Sequence, residues 1–133
     1  MNQAIEFHIE ARSGVPTYLQ IVQQVRQAVR LGLLRPGDQL PTVKDVVGAL
    51  TINPNTVLKA YRELDLEGVV EGRRGVGTFV SADVAAVAPA DVKELRTSLQ
   101  RWIARARAAG LGDEDIATLL ADTLNPPAVS RVA

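Results

Sequence analysis

Between Thr42 and Ser81 two short helix-forming segments run directly into two short strand-forming segments, and that order constrains the fold more than any other feature. The second of these helices is the best defined. Asn53 is a good helix cap, and Pro54 suits a first helical position because its missing N–H has no bond to make there. The helix is expected to run to Glu67 and stop at Gly68. At about 100° per residue, Val57, Ala60, Tyr61 and Leu64 fall on one side. Asn55, Lys59 and Arg62 fall on the other, flanked by Thr56 and Glu63. One side can pack, and the other is free to meet something polar. The helix before it should start at Thr42, with Asp45 placed to complete a capping box, and bury Val43, Val46, Val47 and Leu50. After it, residues 69–73 and 78–81 read as two strands around the turn Arg74-Gly75-Val76-Gly77.

Upstream, residues 5–9 alternate apolar and polar and are expected to form a short strand. A helix over 17–32 follows, with Tyr18, Ile21, Val22, Val25 and Val29 on its apolar side and glutamines and arginines elsewhere. Gly32 suits its C-terminus, and Arg35-Pro36-Gly37-Asp38 is turn chemistry. Downstream, residues 83–90 resemble a linker. A helix with the stripe Val92, Leu95, Leu99, Trp102, Ile103 and Ala106 comes next. Beyond Gly110 and Gly112, Asp113 is expected to cap a last helix bearing Ile116, Leu119, Leu120 and Leu124, ended by Pro126-Pro127. The expected fold is mainly α with a small β-hairpin: a winged helix-turn-helix over 1–82, the linker, a two-helix tail over 91–125, and frayed residues 126–133.

Composition removes whole function classes. With 47% hydrophobic and 23% charged residues the chain should fold, and with no cysteine it has neither disulfides nor thiolate metal sites. His8 is the lone histidine, and no nucleophile–base set, carboxylate pair or metal-ligand spacing converges. Gly72-Arg73-Arg74-Gly75-Val76-Gly77 superficially resembles a phosphate loop, but a helix precedes it, a strand follows, and no Lys-Ser/Thr closes it. No catalytic residue, metal or cofactor is expected. The beginning of the chain lacks a secretory pattern and no apolar run approaches the roughly 20 residues a bilayer requires, so a cytoplasmic protein without membrane contact is expected. Lys+Arg and Asp+Glu are equal at 15 each, whereas DNA-binding domains are usually basic. A role on DNA therefore depends on where the cations sit, not on how many there are.

Two short helices joined by a tight turn, the second polar on its outer side, are the parts of a helix-turn-helix, whose second helix enters the major groove N-terminus first. Asn55, Thr56 and Lys59 occupy those positions. Asn can pair bidentately with adenine, Thr can offer its methyl to thymine, and Lys can neutralise phosphate. At the hairpin tip, Arg73, Arg74 and Gly75 set cations beside a residue that lets backbone approach a phosphate ridge or minor groove closely. A different class of function, a protein-interaction module that keeps this shape without binding DNA, finds its support in the neutral charge.

The stretches Pro16-Thr17-Tyr18-Leu19-Gln20-Ile21, Gly32 through Thr42, Asn53-Pro54-Asn55-Thr56-Val57, Ala60-Tyr61-Arg62-Glu63-Leu64 and Gly75 through Val80 resemble the GntR-type winged-helix domain nearly without gaps. The short helical remainder is similar to the YtrA-type branch. That resemblance implies a transcription regulator, a repressor binding a pseudo-palindromic double-stranded operator as a homodimer. It implies DNA contacts from Thr42 and Lys44 at the start of the first helix of the pair, where relatives usually carry Ser and Arg. Lys44 lacks arginine's planar fork, which leaves it a phosphate contact. Further contacts are implied at Asn53, Asn55, Thr56 and Lys59, and at Arg74 and Gly75 of the wing, next to the tip residue Arg73 already singled out. Many relatives have Arg at position 58; Leu58 is therefore not counted as a site. Leu95, Leu99, Trp102, Ile103, Leu119 and Leu120 are the expected dimerisation residues, with packing of the tail onto its own chain the other reading of the same stripe. A small-molecule effector of unknown identity is a possible further partner.

Overall fold

The computed structural model describes residues 5–84 and 89–126. The element order is α1 (Thr17–Arg30), α2 (Val43–Leu50), α3 (Pro54–Leu66), β1 (Val70–Arg73), β2 (Gly77–Val80), α4 (Pro89–Ala108) and α5 (Asp113–Leu124). The chain divides into two compact units, Met1–Val92 and Lys93–Ala133.

In the first unit, the core forms where the apolar stripes of α1 and α3 meet. Ile21, Val22 and Val25 of α1 and Val57, Ala60 and Leu64 of α3 are completely buried. Full burial of one such aliphatic side chain is worth about 1.5–3 kcal/mol. Val46 of α2 and Val70 and Val80 of the hairpin close over the same core. Helix ends explain the sharp boundaries. Thr42 Oγ1 accepts from Asp45 N–H at 3.1 Å while Thr42 N–H donates to Asp45 Oδ2 at 3.3 Å, the reciprocal box its sequence predicts. At the ends of α1 and α3, Leu33 N–H reaches Ala28 O at 2.8 Å and Val69 N–H reaches Leu64 O at 3.0 Å. Gly32 and Gly68 make these wrapped ends possible, at φ of 76° and 80°. Both helices consequently stop one or two residues earlier than expected, at Arg30 and Leu66 rather than at 32 and Glu67.

Two features of this unit differ from expectation. Residues 5–9 form no strand. Instead, side chains of α1 satisfy the extended backbone there. Gln24 Oε1 accepts from His8 N–H at 3.0 Å and Gln24 Nε2 donates to His8 O at 2.7 Å. Gln20, 7% exposed, brackets Glu10 in the same manner at 2.8 and 3.0 Å. Its amide also donates to Ser13 Oγ and Val15 O. The second difference lies at the sheet. β1 and β2 pair antiparallel with Val70 opposite Val80 and Arg73 opposite Gly77. The stretch ahead of α2 then lies along the other edge of β2. Leu40 N–H donates to Thr78 O and Val80 N–H to Asp38 O, each at 2.8 Å, with Gln39 bridging Phe79.

In the second unit, α4 ends through Leu111 N–H on Ala106 O at 3.0 Å, around Gly110 at φ 103°. Gly112, not Asp113, occupies the cap of α5. Asp115 Oδ2 accepts the Gly112 N–H at 2.8 Å, and Asp113 meets Arg107 at 2.9 Å instead. Of the stripe residues, Ala106 and Ile116 are buried and Trp102, Ile103 and Leu120 half-buried. Leu95, Leu99, Leu119 and Leu124 remain exposed, Leu95 at 67%. α4 begins at Pro89, inside the stretch 83–90 expected to be linker; residues 85–88 of that stretch lie outside the described residues, as do 127–133 of the stretch 126–133 expected to fray.

Candidate nucleic-acid interface

α3 carries the centre of the site. Its buried side holds Val57, Ala60, Tyr61 and Leu64, as the period predicts. Asn55, Lys59 and Arg62 are all exposed on the opposite side, and Thr56 is half-buried at the boundary. Asn53 and Asn55 stand in different chemical states. Asn53 Oδ1 accepts the Asn55 backbone N–H at 2.8 Å, so its carbonyl is committed to the cap and its NH2 is the group left to donate outward. The Asn55 side chain has no part in that bond, so both halves of its amide are available for a base edge.

Lys59 is oriented by a residue that the sequence pattern assigns to the core. Its Nζ lies 4.1 Å from the centroid of the half-buried Tyr18 ring on α1. An ammonium held over an aromatic face keeps its charge and two or more donors outward while its stem loses freedom. The signal in the sequence is weak, because an aromatic in an apolar stripe is ordinarily core.

α2 presents its N-terminus beside this helix. Thr42 and Lys44 are both exposed, and the Thr42 hydroxyl, which accepts from Asp45, retains its own hydrogen for an outside acceptor. α2 and α3 are locked together through Tyr61. Its hydroxyl donates to Pro41 O at 2.6 Å, one residue ahead of the α2 cap. Burial, aided by the Asp45 carboxylate, raises the Tyr61 hydroxyl well above the usual phenol range, so it stays a donor at any physiological pH.

The hairpin is fastened to α3 by Asp65, whose Oδ2 accepts the Gly72 N–H at 3.0 Å. Arg73, Glu71 and Phe79 share one face of it. The Arg73 guanidinium carbon sits 4.3 Å from the Phe79 ring centroid, and its Nε lies 3.9 Å from Glu71 Oε1. The two arginines of the tip therefore differ: Arg73 is braced against the hairpin, whereas Arg74 and Gly75 form the exposed turn itself. Gly77 is favoured by its φ of 142°, and a Cβ there would displace the end of the Gln39 side chain, whose Nε2 would lie at 2.5 Å. Gln39, another residue with no flag in the sequence, donates to Val76 O at 3.4 Å and so steadies the turn. No cluster of metal-ligating side chains exists among the described residues, and no helix there is long and apolar enough to cross a membrane.

Three helices with the third uncovered on its polar side, followed by a cationic-tipped hairpin whose first strand is tied to that helix, define a winged helix-turn-helix of the kind that regulates transcription. Comparison with known proteins agrees. The model of the family described as "Bacterial regulatory proteins, gntR family" matches residues 17–80. The HTH-type transcriptional repressor YtrA of Bacillus subtilis (strain 168) is 38% identical over 104 residues, 77% of this chain and 80% of that protein. Among solved structures, a transcriptional antiterminator from Listeria monocytogenes EGD-e shares 30% identity at a TM-score of 0.58 over 98% of both chains. YtrA from Sulfolobus acidocaldarius, a GntR-family transcription factor, shares 28% identity at a TM-score of 0.55 over 89% of this chain and 96% of its own. The chain belongs to the GntR family of bacterial regulators, in its YtrA-like subfamily. It is a DNA-binding transcription factor, not an enzyme.

Proposed function

We propose that the chain acts as a repressor, two copies occupying a pseudo-palindromic operator and excluding polymerase. Residues 1–82 would be the DNA-binding part and 91–125 the dimerisation tail, joined by 83–90. The observation that carries this is the uncovered side of α3, with Asn55, Lys59 and Arg62 exposed and strand β1 of the wing fastened to the same helix through Asp65 and Gly72. Asn55 and Thr56 read base edges. Thr42, Lys44, Asn53, Lys59, Arg73, Arg74 and Gly75 contact the phosphate backbone or minor groove beside them. The exposed Leu95, Leu99 and Leu119, with Trp102, Ile103 and Leu120, support pairing of tails, which would set two α3 helices about 34 Å apart on one face of the duplex.

A gel shift on the promoter upstream of the chain's own gene, repeated across salt, tests the proposal. Lys44→Ala and Arg74→Ala are expected to weaken binding on all sequences, each lowering the salt slope by about one. Asn55→Ala is expected to cost about 1–3 kcal/mol at one base pair of each half-site. Absence of any salt-sensitive binding would instead favour the protein-interaction module. Deleting the gene should raise transcription from that promoter; a fall would mark an activator.

A further inference from the structure

α3 carries an apolar side chain, Leu58, beside the polar Asn55 and Arg62 of its outward side. Taking Asn55 as reference, a turn of about 100° per residue puts Arg62 about 20° to one side and Leu58 about 60° to that same side. Leu58 thus borders Asn55 and Arg62 within the outward sector. It is 42% exposed, and it is absent from the partly buried hydrophobic residues that pack against the core, such as Val43, Val47 and Ile52. Leu66, the other exposed leucine of α3, lies two turns further on at the end away from the helix N-terminus, where base edges are out of reach. Leu58 is in the second turn, within reach of them.

We propose that Leu58 is a specificity-determining residue that reads a thymine by packing against its C5-methyl group. Among the groups that distinguish the bases in the major groove, the thymine methyl is the apolar one and the others are donors and acceptors. A leucine next to guanine, cytosine or adenine in that position would cover polar edges without pairing them, so the side chain both favours thymine and disfavours the rest. The adjoining Asn55 amide is suited to a neighbouring adenine, so the two residues together specify an A·T-containing step in each half-site. This rests on α3 being the helix that enters the groove.

The test uses the full chain and a duplex recovered by selecting from a random DNA pool on that chain. Each thymine is replaced singly by deoxyuridine, which removes the C5-methyl and nothing else. One thymine per half-site is expected to weaken wild-type binding about three- to fivefold when demethylated, the worth of one buried carbon. Leu58→Ala, at an exposed position, should bind the parent duplex with the same loss and be indifferent to demethylation there. A methyl effect of equal size in Leu58→Ala, or none in the wild type, overturns the proposal while leaving DNA binding intact. Failure to recover any duplex overturns the groove assignment as well.

Discussion

Tyr61 joins the two halves of the helix-turn-helix through one bond, from its hydroxyl to Pro41 O at 2.6 Å, with the residue only 7% exposed. Tyr61→Phe keeps the ring and strands that carbonyl, and is expected to lower stability by about 0.5–1.5 kcal/mol, read as a shifted urea midpoint at unchanged slope. An unshifted midpoint would show that water replaces the hydroxyl without cost. The ring of Tyr61 was legible in the sequence as core; its hydroxyl's partner, twenty residues away, was not. The glutamines of α1 are a sharper case. Gln20 and Gln24 fall at polar positions of the helical period and read as outward-facing, yet their amides stand in for a missing strand partner along residues 8–10. Periodicity reports polarity, and cannot say whether a polar group faces water or backbone. Thr51 was equally silent: it ends α2 at φ 54°, a left-handed conformation that a β-branched residue rarely adopts and that no pattern announces.

Elements defined by local rules were legible nearly to the residue. The caps at Thr42 and Asn53 and the terminal glycines Gly32 and Gly68 all act through neighbours a few residues away. What remained hidden was pairing between distant segments, as in the third row of backbone bonds from residues 37–40 to β2. The junction of α1 and α3 was hidden for the same reason. Arg26 on α1 pairs bidentately with Glu67 at the end of α3, through Nε on Oε1 at 2.8 Å and a second bond to Oε2. The hydrogen bonds from Arg26 hold the Glu67 carboxyl below its ordinary value of 4.5. A lowered pKa means the pair's contribution is complete above that value and is lost as pH falls through the lowered one. The pair is partly solvated, so its worth is a few tenths of a kcal/mol. Glu67→Gln should therefore be less stable than the wild type by that amount at pH 7, and the gap should close in strongly acidic buffer. Denaturation midpoints of the two proteins across pH check it; a gap that widens on acidification would contradict the assignment.

At the scale of the molecule, charge and symmetry matter most. The first unit holds nine Lys and Arg against ten Asp and Glu, so its attraction to DNA comes from placement alone, with Lys44, Lys59, Arg62 and Arg74 exposed on or beside α3 and the wing. A reader with so little net charge gains little from arbitrary sequence, so the proposed pairing of two copies would matter correspondingly more. Replacing both Leu95 and Leu99 with Asp is expected to leave helix content unchanged, convert the sedimenting species to a monomer, and weaken binding to a two-half-site duplex far more than to a single half-site. A dimer that persists in this double variant would move the interface elsewhere. The row of residues 37–40 has its own consequence. Leu40 is 2% exposed in the core, the bonds to β2 set its register, and Thr42 must arrive in phase to begin α2. Inserting or deleting one residue there would turn Leu40 out to solvent and carry the start of α2 away from the wing. Those residues behave as a spacer of fixed length between β2 and α2, so exchanging side chains on α3 or at the hairpin tip is expected to be tolerated where a change of that length is not.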